Sequence, residues 1–203
     1  MKKNLVLVGN APLASNLSDI INKADYVIRF NDAPHPVNIG GTKTDLLMIA
    51  ATSKPMQKRL QEPHFIQSPI FKAAKEILLP YHTSIIEKYH PKPNILSRLK
   101  GRREDWTHQT IDIIGLYKDI RIMSPQFYIQ ACADLGIAEK DMKKLFPSTG
   151  FLGIWYILQT HDTEEWDVRI CGFTWQGWKR HAWDTERQWI EQKMQEGHIS
   201  FLN

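Results

Sequence analysis

The segment RHAWDTERQW, residues 180–189, places one histidine among tryptophans and acids at the start of an amphipathic stretch. Asp184 is a favourable helix N-cap, and Glu186 would fall in the positively polarised first turn. His181 would then lie just before the helix, where positive potential favours the neutral imidazole. A neutral imidazole can act as a base near pH 7. His181 is therefore a candidate general base, although an ordinary polar loop histidine would fit the same pattern.

Small and polar residues follow several apolar runs, at positions that a parallel sheet would bring to one edge. In open parallel sheets, ligands bind outside the carboxyl ends of the strands. We therefore expect one crevice to gather three groups of residues. The groups are Gly9, Asn10 and Ala11; Asn31 and Asp32; and Gly172 and Phe173. For Asn31 and Asp32, an Asx turn before Pro34 is the simpler alternative.

The sequence Pro147-Ser148-Thr149-Gly150 precedes an apolar helical pattern. Hydroxyl groups and free backbone N–H groups at a helix start form an anion site. Ser148 or Thr149 could equally serve only as the cap of that helix. The two roles are compatible, so this turn is a candidate phosphate site.

Apolar runs alternate with helical patterns along the chain. Strands are predicted at 4–8, 26–30, 45–50, 76–79, 120–123 and 168–173. Helices are predicted at 14–22, 125–134, 139–145, 150–160 and 184–196. This rhythm predicts an α/β fold, a Rossmann-like central parallel sheet flanked by helices. A single domain is expected over residues 1–203, with 51–118 as an acceptor-side insertion or lid because its periodicity is weakest.

Composition excludes several classes of protein. The 203 residues carry a formal net charge of +4, and no apolar run reaches the length of about 20 residues that spans a membrane. VGNAPLAS lacks the later glycines of a dinucleotide fingerprint, and no GxxxxGK[ST], DxD, GxSxG or HExxH sequence occurs. The histidines are scattered and the two cysteines form no CxxC pair, so neither a metal site nor a cofactor is expected.

Two further clusters have a structural and a functional interpretation. The basic run 98–103 fits a solvated face, or a surface that approaches acceptor phosphates or anionic lipid. Three tryptophans flank His181, where they could stack on an acceptor sugar ring or exclude water: Trp175, Trp178 and Trp183. A broad basic surface with interleaved aromatic residues is not evident, so no nucleic-acid partner is expected.

Taken together, these segments resemble the sialyltransferases of glycosyltransferase family 29. Residues 5–48 are similar to the family's large donor-binding motif, with V-G-N, R-x-N-x-A-P and G-[ST]-[RK]-T elements. Residues 146–173 are similar to the small motif, in which P-S-T-G opens a helix. HAWDTE matches the short H-x4-E motif. Three motifs in the family's order are far more specific than any one alone.

The resemblance implies an inverting, metal-independent transfer of a sugar acid from its CMP-activated form to an acceptor hydroxyl. His181 matches the catalytic histidine, and Glu186 matches the family's acid, a second catalytic candidate or a residue that orients His181. The implied donor-binding residues are Gly9, Asn10, Ala11, Arg29, Asn31, Asp32, Ser148, Thr149, Gly150, Gly172 and Phe173. The donor is CMP-sialic acid or CMP-Kdo, between which the sequence does not choose.

The chain also departs from animal members of that family. Those have an N-terminal membrane anchor and a disulfide joining the large and small motifs, and neither is expected here. The compact form resembles a cytoplasmic bacterial relative, peripheral at the inner membrane, that extends lipooligosaccharide or capsule. The expected partners are the CMP-sugar acid and a glycan or lipid-linked oligosaccharide acceptor. The alternatives are a non-catalytic nucleotide-binding accessory protein of the same fold and a transferase of another nucleotide sugar.

Overall fold

Seven parallel strands form one sheet in the computed structural model, which describes residues 1–202. The strands are β1 (Lys3–Val8), β2 (Tyr26–Phe30), β3 (Leu46–Met48), β4 (Glu76–Leu79), β5 (Asp119–Ile122), β6 (Trp166–Cys171) and β7 (Ser200–Phe201). Their order across the sheet is β5-β4-β3-β2-β1-β6-β7. The predicted α/β class with a parallel sheet is confirmed.

Helices cover both faces of this sheet. They are α1 (Ser18–Lys23), α2 (Val37–Gly40), α3 (Ser53–Gln61), α4 (Pro63–Gln67), α5 (Pro69–Ala73), α6 (Thr83–Tyr89), α7 (Ile95–Leu99), α8 (Thr107–Ile114), α9 (Pro125–Asp134), α10 (Thr149–Thr160) and α11 (Trp183–Gln195). The helix predicted at 139–145 is wrong in extent, because only a 3₁₀ turn forms, at Glu139–Asp141.

The helices on both faces of the sheet explain why β1 contains a continuous apolar run. Leu5 and Leu7 face one hydrophobic cluster, whereas Val6 and Val8 face another. Successive side chains of a strand point to opposite faces, so a strand covered on both sides is apolar at every position. The central strands are therefore rigid supports for the loops at their carboxyl ends.

The direction of chain progression reverses beside β1. From β1 the chain adds β2, β3, β4 and β5 on one side, and then returns to place β6 on the other. The loops after β1 and β6 therefore leave the sheet side by side. Such a reversal opens a crevice at the carboxyl ends of the strands, which is where ligands bind in sheets of this kind.

The segment 51–118 is more closely tied to the sheet than an insertion would be. It supplies β4, which pairs with both β3 and β5, and it contains the six helices from α3 to α8. Thr52, near its start, forms an antiparallel bridge with Asp105, which directly precedes the region of α8. Among residues 1–202, no helix combines the length and apolar character needed to cross a membrane.

Candidate active site

Two adjoining cavities occupy the crevice. The first cavity has a volume of about 350 Å³ and is lined by Gly9, Asn10, Ala11, Phe30, Asn31, Ser148, Thr149, Gly150, Gly172, Phe173, Thr174, Gln176, His181 and Trp183. The second cavity, of about 430 Å³, is lined by Asn31, Ala50, Thr52, Ser53, Lys54, Pro55, Arg59, Tyr81, His90, Pro91, Phe146, Thr149, Trp178 and His181. Three residues belong to both walls: Asn31, Thr149 and His181.

The floor of the first cavity is backbone. The N–H of Gly9 donates to Cys171 O at 2.8 Å, and the N–H of Ala11 donates to Gly172 O at 2.8 Å. A Cβ at Gly9 would overlap the carbonyl oxygen of Gly172, and Gly172 itself has a φ of 67°. Both positions therefore require glycine, for close approach at one and for left-handed backbone at the other.

Two asparagines form hydrogen bonds between the strand ends beside the Gly9–Gly172 contact. Asn10 Nδ2 donates to the carbonyl oxygen of Phe30 at 3.0 Å, which joins the loop after β1 to the end of β2. Asn31 has a φ of 51°, a left-handed conformation that asparagine tolerates better than most residues. Its Oδ1 accepts from the N–H of Ala50 at 3.0 Å. The side chain of Asn31 is thus fixed where the two cavities meet.

Ser148 caps α10 and is itself held by a buried acid. Its Oγ accepts from the N–H of Phe151 at 3.0 Å. Its N–H and Oγ–H donate to the two carboxylate oxygens of Glu186, each at 2.6 Å. Glu186 is fully buried, and burial raises its pKa to about 7. Glu186 therefore fixes the start of α10 and acts on the cavity through Ser148.

The start of α10 offers free donors to the first cavity. Within residues 1–202, the N–H groups of Thr149 and Gly150 have no acceptor, as expected for the first positions of a helix. The helix dipole adds positive potential at this end. With the hydroxyl of Thr149, these groups line the cavity at the turn that the sequence predicts as a phosphate site.

His181 lies at the junction of the cavities and is held by Phe146. The carbonyl oxygen of Phe146 accepts from the N–H of Ala182 at 3.2 Å and lies 3.3 Å from His181 Nδ1. An Nδ1–H that donates to this carbonyl leaves Nε2 unprotonated and able to accept a proton. Burial lowers the pKa of His181, so the neutral ring predominates at pH 7.

Aromatic rings enclose that imidazole. Trp178 and Trp183 contact it edge-on, with ring centroids at 5.1 and 5.0 Å. Trp178 also stacks on Phe146, with an interplanar angle of 11°, yet it remains 49% exposed. Trp178 lines the second cavity and Trp183 lines the first, whereas Trp175 packs against the hydrophobic core and lines neither. Trp175 therefore does not occupy the predicted acceptor-side position.

The second cavity contains residues that the sequence analysis did not single out. His90 packs between Tyr81 and Phe146, edge-on to the first ring and tilted to the second, with centroids at 4.8 and 5.1 Å. Burial lowers the pKa of His90 to about 4, so it is neutral at pH 7. Lys54 and Arg59 line the same cavity. No short motif marks Lys54, Arg59, Tyr81 or His90. The high content of histidine, tyrosine and basic residues in 51–118 was the one signal in the sequence that pointed to this region.

Charge distinguishes the two cavities. Within the described residues, the wall of the first cavity includes no Asp, Glu, Lys or Arg, whereas that of the second includes Lys54 and Arg59 and no acid. A third cavity, of about 570 Å³, continues beyond Lys54 and Arg59 over the apolar side chains of Phe65 and Phe71. It is the largest of the three, but neither the start of α10 nor His181 lines it.

Two predicted donor-binding residues lie elsewhere. Arg29 is fully buried, with its Nε donating to Lys43 O at 3.1 Å and its Nη2 to Gly40 O at 2.5 Å. It holds the loop between β2 and β3 and has no face toward the first cavity. Asp32 forms an ion pair with Arg59, at 2.8 Å from Nη2, and lines the third cavity. Both expectations of direct donor contact are corrected.

The acids of the H-x4-E segment are also placed differently from the prediction. Helix α11 starts at Trp183 with Ala182 as its N-cap, so Asp184 lies inside the first turn and does not cap it. Glu186 contacts Ser148, not His181. Its assignment as a catalytic residue is therefore corrected to a positioning role. The remaining predicted donor-side residues, Gly9, Asn10, Ala11, Asn31, Ser148, Thr149, Gly150, Gly172 and Phe173, all line the first cavity.

Comparison with known proteins places the chain among glycosyltransferases. The model of glycosyltransferase family 29 (sialyltransferase) matches residues 5–199. A relative from Rhizobium meliloti (strain 1021), named "Urease operon 23 kDa accessory protein", is 23% identical over 206 residues, which cover 98% of this chain and 92% of that protein.

Solved sialyltransferase structures share the fold. A mammalian sialyltransferase in complex with Gal-beta-1-3GalNAc-ortho-nitrophenol aligns with a TM-score of 0.58 and 16% identity, over 99% of this chain and 69% of that one. The sialyltransferase CstII from Campylobacter jejuni, in complex with the substrate analogue CMP-3FNeuAc, aligns with a TM-score of 0.59 and 13% identity, over 100% of this chain and 81% of that one. At these identities the likeness establishes the fold.

Proposed function

Because the chain belongs to glycosyltransferase family 29, we propose that it transfers a sugar acid from a CMP-activated donor to a hydroxyl group of a glycan. The observation that carries this proposal is the position of His181. It lies where the two cavities meet, with Asn31 and Thr149 in both walls. A transferase needs such a junction, since the donor and the acceptor must approach one base from separate sites.

The first cavity is assigned to the nucleotide half of the donor. Asn10 and the backbone between Gly9 and Ala11 line it on one side, and the start of α10 lines it on the other. One structural neighbour, CstII, was solved with a CMP-sugar analogue, which supports this choice of nucleotide. The sugar acid is sialic acid or Kdo, both 2-keto sugar acids.

His181 serves as general base in this proposal. Its Nε2 takes the proton of the acceptor hydroxyl as that oxygen forms a bond to the anomeric carbon. The bond from the anomeric carbon to the phosphate oxygen breaks, and its electron pair leaves with CMP. Attack opposite to the leaving group inverts the anomeric centre. General base catalysis of this kind contributes about 10²–10⁴-fold in rate.

In this proposal, protein groups and no metal ion stabilise the negative charge that develops on departing CMP. The free N–H groups of Thr149 and Gly150 and the dipole of α10 provide positive potential at the phosphate. Glu186 keeps these donors in place through Ser148. Because the donors are fixed before the reaction, they need no reorganisation as the charge develops.

The second cavity is assigned to the acceptor. The exposed ring of Trp178 offers a stacking surface for a sugar, and the third cavity provides room for the rest of a glycan or a lipid-linked oligosaccharide. We place the reaction at the cytoplasmic face of a membrane where surface glycans are assembled.

A calorimetric titration tests the donor assignment. Wild-type protein is titrated with CMP, CDP, UMP and GMP in buffer containing EDTA. Selective binding of CMP is the expected result, and CMP-sialic acid and CMP-Kdo are then compared as donors for transfer and for slow hydrolysis. Equal binding of all four nucleotides, or no binding, would contradict the proposal.

An accessory protein without turnover is the second candidate, favoured by the name of the Rhizobium relative. Such a protein would keep the nucleotide cavity and have no need of a base at its junction with a second one. Selective CMP binding combined with no hydrolysis or transfer of either CMP-sugar would favour this alternative. Release of CMP that depends on His181 would exclude it.

A further inference from the structure

Helix α7 presents three large apolar side chains to solvent. Ile95, Leu96 and Leu99 are exposed by 77%, 71% and 80%, and α7 has no buried residue. A helix of a folded domain ordinarily buries one apolar face against the core. The apolar face of α7 is therefore not covered by any other part of residues 1–202.

Positive charge surrounds this face. Residues 88–103, KYHPKPNILSRLKGRR, contain no acid. Lys88 is paired with Glu139, but the other cations of the stretch form no ion pair with a carboxylate among residues 1–202. These cations are Lys92, Arg98, Lys100, Arg102 and Arg103. We call residues 92–103 the basic-apolar segment.

The basic-apolar segment is attached at both ends to the wall of the second cavity. His90 and Pro91, which line that cavity, lead into it. At its other end, Glu104 O accepts from the N–H of Ser53 at 3.0 Å, and the N–H of Trp106 donates to Ala51 O at 3.0 Å. The segment therefore lies at the carboxyl edge of the sheet, beside the mouth of the cavity.

We propose that the basic-apolar segment docks on an anionic membrane surface. Ile95, Leu96 and Leu99 would enter the boundary between lipid headgroups and acyl chains, and the surrounding cations would pair with lipid phosphates. Cations without partner acids beside exposed apolar side chains are complementary to such a surface. Docking in this way brings the second cavity close to the membrane, within reach of an acceptor that is anchored in lipid.

Vesicle sedimentation tests the proposal directly and does not depend on the transfer reaction. Wild-type protein is mixed with vesicles of phosphatidylcholine and phosphatidylglycerol in equal amounts, and separately with vesicles of phosphatidylcholine alone. Binding to the anionic vesicles is expected, with affinity falling as salt is added, because the cations act through a screened field. Much weaker binding to neutral vesicles is expected.

Matched variants separate the basic-apolar segment from the rest of the surface. The triple variant I95S/L96S/L99S should weaken binding to anionic vesicles by at least about tenfold. R102Q/R103Q should weaken it roughly fivefold for each cation removed. The controls are L116S, at a leucine exposed by 79% near the amino end of β5, and K143Q/K144Q, at an exposed basic pair outside the segment. Both controls should bind as the wild type does.

Three outcomes would overturn the proposal. They are no sedimentation of wild-type protein with anionic vesicles at low salt, equal loss of binding in the control variants, and full binding by both segment variants. The thermal unfolding midpoint of each variant is measured in parallel. The substituted side chains are exposed, so unchanged midpoints are expected, and a loss of binding then reports the surface itself.

Discussion

The two cavities of the crevice are built in different ways. The wall of the first consists largely of backbone and short side chains from the ends of β1, β2 and β6 and from the start of α10. None of the described residues that line it is Lys, Arg, Asp or Glu. The second is walled by large rings and by two cations: Tyr81, His90, Phe146, Trp178 and His181, with Lys54 and Arg59. The cavity whose lining residues belong to recognisable sequence motifs is therefore the one built on the ends of the strands.

This difference separates two kinds of recognition. Backbone amides at fixed strand and helix ends suit a ligand group that is always the same, such as the nucleotide of a donor. Long side chains outside the strands suit a ligand that differs between relatives, such as an acceptor glycan. His181 belongs to both walls and is the one residue to which the proposal assigns proton transfer, so its loss is predicted to lower turnover without weakening the affinity for CMP.

The largest effect is expected for His181→Ala. Turnover should fall by about 10²–10⁴-fold, because the base is lost, while the affinity for CMP stays within a small factor of wild type. In the wild type, the acidic limb of the pH–rate profile should lie below pH 6.5, because burial lowers the pKa of His181. Transfer rates and CMP calorimetry on the same samples measure both. Unchanged turnover in His181→Ala would show that His181 is not the general base.

A smaller effect, on stability, is expected from Glu186. In the folded chain its pKa is raised to about 7, above the value of about 4.3 for an exposed glutamate. Between these pH values the folded state binds the proton more tightly than the unfolded state, so stability falls as pH rises from about 4.3 to about 7.

The variant Glu186→Gln isolates this contribution. Across that pH range the wild type should lose roughly 3 kcal/mol of unfolding free energy more than the variant, as measured by urea unfolding. Glu87→Gln, the same substitution at an exposed glutamate outside both cavities, serves as the matched control. Parallel pH dependences for wild type and Glu186→Gln would show that Glu186 ionises normally.

The smallest effects are expected from one substitution in each cavity. Asn10→Ala should weaken CMP binding by about tenfold, through the loss of one or two hydrogen bonds and of the link to Phe30. Trp178→Ala should raise the acceptor KM by roughly fivefold and leave CMP affinity unchanged, since stacking contacts are worth about 1 kcal/mol. Equal effects of both variants on donor and acceptor would mean that the cavities do not act separately.

The sequence predicts the framework and the first cavity because both depend on local patterns. The runs at 4–8 and 26–30 are buried strands whatever surrounds them, and Ser148 caps a helix through its own hydroxyl. The order of strands around β1 then brings the small residues after β1 and β6 together.

The sequence fails where a role depends on distant contacts. Arginine is a common ligand of anions, but only the folded structure reveals that Arg29 is buried, with its Nε and Nη2 donating to the carbonyl oxygens of Lys43 and Gly40. Glu186 lies only five positions after His181 in the sequence, yet its hydrogen-bond partner is Ser148, which lies 38 positions away. The walls contributed by Lys54 and His90 similarly arise from packing between helices of low periodicity.

The contact between Gly9 and Gly172 has a consequence for how such a site diversifies. Neither position accepts a side chain, so point mutation cannot reshape the floor of the first cavity without moving β1 or β6. Exchange of side chains at Lys54, His90 or Trp178 disturbs no strand. With the cavities assigned as proposed, single substitutions suffice to alter the acceptor, whereas a new donor nucleotide would require changes in loop length at the strand ends.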